Sequence, residues 1–417
     1  MIGAGQFLAA AASRGYDFYT GVPCSFLTPL INYVVSGGTD TYVAAASEGE
    51  AVAIAAGAWL GGRQSVVMCQ NSGLGNTVNP LTSLNAPFRI PALLIVTWRG
   101  QPGLHDEPQH ELMGRITHEL LATMEIAHAA FPTDADRIDA VLDEAASAAE
   151  QGRCYALVMQ RGSVRETGLE HDDFRSRARF RLSDDRDPNS LANWEPEFAS
   201  SDRALAPGAV RALPPGQVRD FTECAALPSR MQLLERLLGA APPEAAIIAT
   251  TGKCGRELFT IADREQHLYQ VGSMGCASGM GLGVALTTSQ PVIVLDGDGA
   301  ALMKLGTLAT IGAYQPGRLL HVIMDNGSYD STGGQPTSSH CVDFPGMARC
   351  CGYSLVFRAN SAEGFQRAVA LALAGRGPAL IHARMRPGSM AKLGRPTVKP
   401  PEVARRFKAF LARYRPF

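Results

Sequence analysis

The sequence predicts an α/β fold of two domains, each a parallel sheet flanked by helices. Short apolar runs end in glycine or polar turns, they alternate with helical stretches, and they occur in two segments of similar size. The 417 residues leave room for two domains and connecting sequence, and a hydrophobic fraction of 46% supplies material for buried cores.

The first predicted domain covers residues 1–165. Its candidate strands lie at residues 17–23, 41–47, 65–73, 91–100 and 155–162. Helices are expected between them, for example over residues 50–60 and 118–130.

The second predicted domain covers residues 226–417. Its candidate strands lie at residues 245–252, 267–273, 291–299, 319–326, 353–359 and 379–385. Residues 166–225 are rich in Arg, Asp, Pro and Ser and lose all periodicity, so they are predicted to form a polar linker.

Composition excludes several classes of partner. The net charge is −1 without a dense basic run, which argues against nucleic acid, and no apolar stretch reaches the length of a membrane span. The first 18 residues read as an amphipathic helix and not as a signal peptide. Nine cysteines without zinc spacing fit reduced thiols, so a cytoplasmic protein is expected.

The strongest chemical motif ends a predicted strand at residues 292–299. Gly297 and Gly299 flank Asp298, an arrangement that lets backbone amides approach a phosphate while the aspartate holds a hard cation. A simple strand-to-helix turn is the alternative for this motif alone. Asn326 ends the next predicted strand, 28 residues after Asp298, so one βαβ step brings both side chains to one sheet edge, where they can share Mg²⁺.

A second motif lies in the first half. Glu48 opens a helix of small residues that carries Gly57 nine positions later. Stabilisation of the helix N-terminus by the carboxylate is the alternative role.

Together these motifs resemble the signature of thiamine-diphosphate enzymes. The resemblance implies a pyrimidine-binding first domain, a pyrophosphate-binding second domain, and Mg²⁺ held by Asp298, Asn326 and the Ser328 carbonyl. Asp325 stands where the family usually has a first asparagine. Glu48 would hydrogen-bond the aminopyrimidine ring of the cofactor, which serves as the electron sink in decarboxylation.

Further cofactor contacts follow from the same resemblance. Gly272 would accept a hydrogen bond from the cofactor's amino group, and Met274 would support its bent shape; ordinary core packing is the alternative for Met274. Thr251 and Gly252 stand at the end of a predicted strand, where a diphosphate or an anionic substrate fits, whereas Lys304 is interpreted as a solvated helix charge.

Longer stretches resemble the phosphonopyruvate decarboxylase family and its relatives, the sulfopyruvate decarboxylases. They lie at residues 21–25, 71–76, 98–103, 106–110, 330–336 and 393–396. This resemblance implies conversion of 3-phosphonopyruvate to phosphonoacetaldehyde and CO₂ in phosphonate and antibiotic biosynthesis. It also implies a homodimer or homotetramer with active sites between subunits.

A phosphonate requires cationic or amide donors. Ser25, Arg99 and Arg395 are candidates for binding it, and His105 and His110 are candidates for proton transfer. Surface or structural hydrogen bonding is the alternative for both histidines. Other functions left open are sulfopyruvate decarboxylation, a carboligase reaction, and cofactor binding without catalysis.

Overall fold

The structure, a computed structural model, describes residues 1–37, 41–168 and 217–414. Two large sheets, each built from parallel strand pairs, account for the described strands apart from one short hairpin. The predicted α/β architecture with two helix-flanked parallel sheets is confirmed. The predicted linker falls mostly on residues 169–216, which lie outside the described part of the chain.

The first sheet has six strands in the order β2-β1-β3-β4-β6-β5. Its strands are β1 (Tyr16–Gly21), β2 (Thr41–Ala44), β3 (Gln64–Gln70), β4 (Leu93–Thr97), β5 (Ala127–Ala130) and β6 (Tyr155–Met159). Its helices are α1 (Ala4–Ala12), α2 (Thr28–Gly37), α3 (Glu48–Leu60), α4 (Leu74–Pro80), α5 (Ala86–Phe88), α6 (Glu111–Thr123) and α7 (Ile138–Glu150). A π-helical turn, Leu81–Asn85, joins α4 to α5.

The second sheet has seven strands in the order β7-β14-β15-β11-β10-β8-β9. The strands of this half are β7 (Val218–Phe221), β8 (Ala246–Ala249), β9 (His267–Tyr269), β10 (Val292–Gly297), β11 (Leu319–Asp325), β14 (Leu355–Ala359) and β15 (Ala379–Arg384), with β12 (Ser328–Tyr329) and β13 (Gln335–Pro336) forming the hairpin. Its helices are α8 (Arg230–Ala240), α9 (Lys253–Ile261), α10 (Ala277–Ala285), α11 (Asp298–Met303), α12 (Thr307–Tyr314), α13 (Phe344–Cys350), α14 (Ala362–Ala374) and α15 (Pro400–Ala412).

Local sequence explains where the key elements begin and why the central strands are buried. Strands β4 and β11 are apolar throughout or nearly so, as expected for parallel strands covered by helices on both faces. Ser47 caps α3 by accepting from the Glu50 amide, and Ser229 forms a capping box with Gln232 at the start of α8.

Two sequence-based expectations differ from the structure. The helix expected over residues 118–130 ends at Thr123, and Ala127–Ala130 forms edge strand β5. Alanine favours helices, but Glu125 adopts a left-handed conformation (φ 57°) that ends the helix, and pairing with β6 then decides the conformation. Strand β7 lies inside the predicted linker, where Phe221 stacks on Phe357 of β14.

The two halves meet where α3 packs against α10. A β-carbon on Gly57 or Gly283 would overlap a backbone carbonyl of the facing helix, and one on Gly279 would lie 3.2 Å from the β-carbon of Ala53. A single apolar core accordingly includes Ile54 of the first half and Met280 of the second. The absence of side chains on these glycines lets the two helix backbones touch.

Crossing a membrane would require a long apolar helix, and none of the helices in the described residues has that length and character.

We predict that Gly57→Ala lowers the free energy of unfolding by about 1–3 kcal/mol, because the added methyl overpacks the contact with Met280 even though alanine favours helices. Urea unfolding followed by circular dichroism measures this change. Gly239→Ala in α8 is the matched control, since a β-carbon there meets nothing within 4 Å. An equal change in the free energy of unfolding for the two variants would contradict the proposed importance of the contact between Gly57 and Met280.

Candidate active site

The carboxyl edge of the second sheet carries the predicted metal ligands. Strand β10 ends at Gly297, α11 begins at Asp298, and β11 ends at Asp325, directly before Asn326. Strands β10 and β11 are hydrogen-bonded neighbours, with Gly297 opposite Met324. The spacing argument from the sequence is therefore confirmed in placing these two strand ends side by side.

Asp298 is a buried carboxylate that forms no ion pair among the described residues. Its Oδ2 accepts a hydrogen bond from the Thr337 hydroxyl, and its side chain is shielded from solvent. Burial raises the pKa of Asp298, and the nearby negative charge of Asp325 acts in the same direction. A cation bound at this carboxylate would offset both effects.

The Asn326 side chain is held by one hydrogen-bond acceptor and one donor of its own loop. Its Nδ2 donates to Asp330 Oδ2 at 2.7 Å, and its Oδ1 accepts from the Ser328 amide at 3.1 Å. Asp298, Asn326 and the Ser328 loop thus offer carboxylate, amide and carbonyl oxygens, the donor set that Mg²⁺ prefers. The residues present fit the metal that the resemblance implies.

Asp325 has a structural role. It accepts hydrogen bonds from the Gly327 amide at 2.9 Å, the Ser339 hydroxyl at 2.9 Å and His382 Nε2 at 2.8 Å. Burial alone would raise its pKa, but these hydrogen bonds and the charge of His382 together lower it. This side chain therefore shapes the turn before Ser328.

The predicted cofactor-binding glycines lie at neighbouring strand ends. Gly252 precedes α9 with φ of 93°, a conformation that favours glycine, and a β-carbon there would lie 2.7 Å from Ser331 Oγ. The Thr251 hydroxyl donates to the Val271 carbonyl at 3.0 Å, which joins the loops after β8 and β9. Thr251 therefore positions the segment that leads into Gly272.

Glu48 is the first residue of α3, at the carboxyl edge of the first sheet. Its Oε2 accepts from Asn76 Nδ2 at 2.8 Å, and its carboxylate lies directly against Gly73. Any side chain at position 73 would displace the carboxylate. Asn76 and Gly73 therefore fix the direction in which Glu48 points.

The Gly272–Met274 segment packs against the end of α4 and the turn that follows it. Ser273 Oγ donates to the Asn79 carbonyl at 3.1 Å, and a β-carbon on Gly272 would lie 2.5 Å from the Ser83 carbonyl oxygen. Met274 is half-buried beside this contact. Glu48 and this segment thus both contact α4 or the turn after it, and the region where α3, this turn and the segment before α10 meet is called the seam.

Lys304 also belongs to this seam, although the sequence suggested a solvated helix charge. A β-carbon on Gly49 would lie 2.7 Å from Lys304 Nζ, and the lysine stem packs under Gly275. Burial raises the pKa of Glu50, and the charge of Lys304 opposes that rise. No motif in the sequence indicated this contact, because Lys304, the residue after α11, meets Gly49 of α3 only through the tertiary packing of the two halves.

The candidate substrate residues occupy loops of the first half and the far end of the second. Arg99 donates to Asp106 through Nε at 2.8 Å and lies over the Phe26 ring, so its guanidinium is largely committed to the protein. This pairing holds the pKa of Asp106 well below its usual range. Ser25 and His105 are exposed.

The other two candidates differ in exposure. His110 is buried, and its Nδ1 has no hydrogen-bond partner among the described residues. Arg395 is exposed on a loop that Arg256 anchors by donating to the Gly394 carbonyl at 2.9 Å and the Leu393 carbonyl at 3.2 Å. The assignment of Ser25, Arg99, His105, His110 and Arg395 to the substrate stays a prediction.

Comparison with known proteins agrees with this geometry. Residues 251–383 match the model of the thiamine pyrophosphate enzyme C-terminal TPP-binding domain. The phosphonopyruvate decarboxylase of Streptomyces viridochromogenes is 46% identical over 412 residues, which cover 99% of this chain and 95% of that protein.

The chain belongs to the phosphonopyruvate decarboxylase family. Sulfopyruvate decarboxylase of Methanosarcina acetivorans is more distant, at 27% identity over 414 residues, covering 95% of this chain and 94% of that protein. The fold is shared more widely. A thiamine diphosphate-dependent 4-hydroxybenzoylformate decarboxylase from Rhodococcus jostii RHA1 has a TM-score of 0.66 at 16% identity, covering 94% of this chain and 100% of that one.

For this member of the phosphonopyruvate decarboxylase family, we predict that Lys304→Met lowers the free energy of unfolding by about 1–3 kcal/mol near pH 8 and by less near pH 5. Because burial raises the pKa of Glu50 and Lys304 opposes that rise, removing the lysine raises it further. In the variant, ionising Glu50 in the folded state costs more free energy than in the wild type. The folded variant therefore loses stability as pH rises above the pKa that the Glu50 carboxyl has in the unfolded chain.

Urea unfolding at both pH values measures the difference, with exposed Lys392→Met as the control. If Lys304→Met lowers the free energy of unfolding equally at pH 5 and pH 8, the interaction with Glu50 is rejected.

Proposed function

We propose that this protein uses thiamine diphosphate and Mg²⁺ to decarboxylate 3-phosphonopyruvate to phosphonoacetaldehyde and CO₂, a step in phosphonate biosynthesis. The observation that carries this proposal is full-length similarity: 46% identity to a phosphonopyruvate decarboxylase extends over 99% of the chain and therefore over both halves of the seam. When bound, the cofactor supplies the electron sink that accepts the electron pair released with CO₂.

Glu48 is the residue proposed to act on the aminopyrimidine end of the cofactor. Its carboxylate would hold a proton at a ring nitrogen, and the hydrogen bond from Asn76 at 2.8 Å would keep the carboxylate aimed at that atom. Gly272 would offer its carbonyl to the amino group, and Met274 would support the cofactor between its rings. Both residues belong to the segment that packs against the turn after α4.

The diphosphate end is proposed to bind at the second sheet. Asp298, Asn326 and the Ser328 carbonyl would hold Mg²⁺, and the backbone around Gly297, Gly299, Thr251 and Gly252 would face the phosphate oxygens. The buried Asp298 carboxylate, whose pKa is raised, supports this role because a divalent cation compensates buried negative charge.

The substrate is proposed to be a small 2-oxo acid with a second anionic group. Ser25, Arg395 and His110 remain candidates for binding or protonating it. Arg99 would contribute through its charge or by ordering the loop that carries His105 and His110, because Asp106 occupies the Nε and Nη2 edge of its guanidinium. A homodimer or homotetramer and a cytoplasmic location are proposed from the family resemblance.

Sulfopyruvate is the second candidate substrate, since a relative of that activity matches 95% of this chain. Supplying the purified protein with cofactor, Mg²⁺ and each oxo acid, while CO₂ and aldehyde are followed, distinguishes the two. We expect phosphonopyruvate to give the higher kcat/KM. A preference for sulfopyruvate, or coupling of two carbonyl compounds in place of aldehyde release, would reject the proposed substrate and reaction.

We predict that Glu48→Gln lowers kcat by about 10²–10⁴-fold, the usual contribution of a positioned proton-transfer group. Cofactor affinity, measured by fluorescence quenching, should persist because the side chain keeps its size. Glu119→Gln on the exposed face of α6 is the matched control. Turnover by Glu48→Gln at the rate of this control would exclude the catalytic role.

A further inference from the structure

A buried ion-pair cluster lies behind the proposed metal site. Arg230 Nη2 donates to Asp330 Oδ2 at 2.9 Å, and Arg230 Nη1 donates to Glu257 Oε1 at 3.0 Å. The three side chains are 6%, 12% and 0% exposed, so solvent weakens these contacts little. Nothing in the sequence motifs assigned Arg230 or Asp330 a role.

Asp330 determines the orientation of the Asn326 amide. A carboxylate only accepts hydrogen bonds, so the Asn326 nitrogen must face Asp330, at 2.7 Å. The Ser328 amide donates to the opposite atom, Oδ1, which is consistent with the same orientation. The Asn326 oxygen is thereby turned away from Asp330 and kept available as a ligand.

The same cluster joins two loops of the site. Asp330 accepts from the Gly388 amide at 3.2 Å, and Arg230 donates to the Gly388 carbonyl at 3.3 Å. Gly388 opens the loop that leads to Arg395, which Thr260 and Arg256 anchor farther along through Gly394. Asp330 and Arg230 therefore connect the Asn326 loop to the loop of a candidate substrate residue.

We propose that Asp330 and Arg230 are positioning residues for metal binding: Asp330 orients the Asn326 oxygen toward Mg²⁺, and the Arg230 fork, itself held by Glu257, keeps Asp330 in place. This inference rests on the proposed function, since it takes Asn326 to be a metal ligand. Changes to groups that orient a metal ligand typically weaken metal binding by 10–100-fold.

Asp330→Asn tests the orienting step. An amide at position 330 can present its nitrogen to Asn326, so the orientation is no longer imposed. Calorimetric titration of Mg²⁺ into protein mixed with thiamine diphosphate should show an affinity about 10–100-fold weaker than that of the wild type. Turnover should recover when Mg²⁺ is saturating, because Asp330 does not touch the reacting atoms, whereas a general packing defect would not be rescued by metal.

Arg230→Lys is the second variant, and it tests the positioning role if Asp330→Asn does not fold. A lysine keeps the charge but loses the fork that contacts Glu257 and Asp330 together, so a smaller loss of Mg²⁺ affinity is expected. Asp263→Asn is the matched control, because Asp263 pairs with Arg406 at 3.0 Å outside this cluster. Asp298→Asn shows the effect of changing a ligand itself.

The outcomes separate the two proposals. A wild-type protein that binds no Mg²⁺ in the presence of cofactor would overturn the proposed function. The positioning role would be overturned, and the function left standing, by a different result. In that result the wild type binds Mg²⁺, Asp298→Asn binds it weakly, and Asp330→Asn and Arg230→Lys have the same Mg²⁺ affinity as Asp263→Asn.

Discussion

The close packing of α3 on α10 is the contact on which the site depends. Gly57, Gly279 and Gly283 bring the two helix backbones together without intervening side chains. Glu48 stands at the first residue of α3, and Gly272–Met274 lies just before α10. Since backbone contacts leave little room for sliding, this packing sets the distance between the proposed proton-holding group and the segment that would cradle the cofactor.

The distribution of buried charge separates structural residues from proposed functional ones. Asp325 shares a hydrogen bond with His382, and Asp330 is paired with Arg230. Asp298, by contrast, forms no ion pair within the described residues, and burial raises its pKa. Hydrogen-bond donors of the protein thus hold two of these carboxylates, and the third is the one proposed to bind a cation with the cofactor.

Much of the proposed site was predictable because strand ends are visible in the sequence. Apolar runs that end in Asp298 and Asn326 predicted adjacent strands, and β10 and β11 are indeed paired. The helix over residues 118–130 was wrong at its end, because edge pairing overrides the helix preference of alanine. Lys304 was assigned to solvent because the sequence does not show that this residue, which follows α11, lies against Gly49 of the first half.

The sequence by itself determined the α/β class, the order of most strands along the chain, and the family, since these depend on local periodicity and on motifs continuous in the chain. Only the tertiary structure decided which side chains share an environment. The contacts of Glu48 with Asn76, of Lys304 with Gly49, and of Arg230 with Asp330 join residues 28 to 255 positions apart. Such contacts follow from how helices and loops pack at the sheet edges, a three-dimensional outcome to which no local pattern is sensitive.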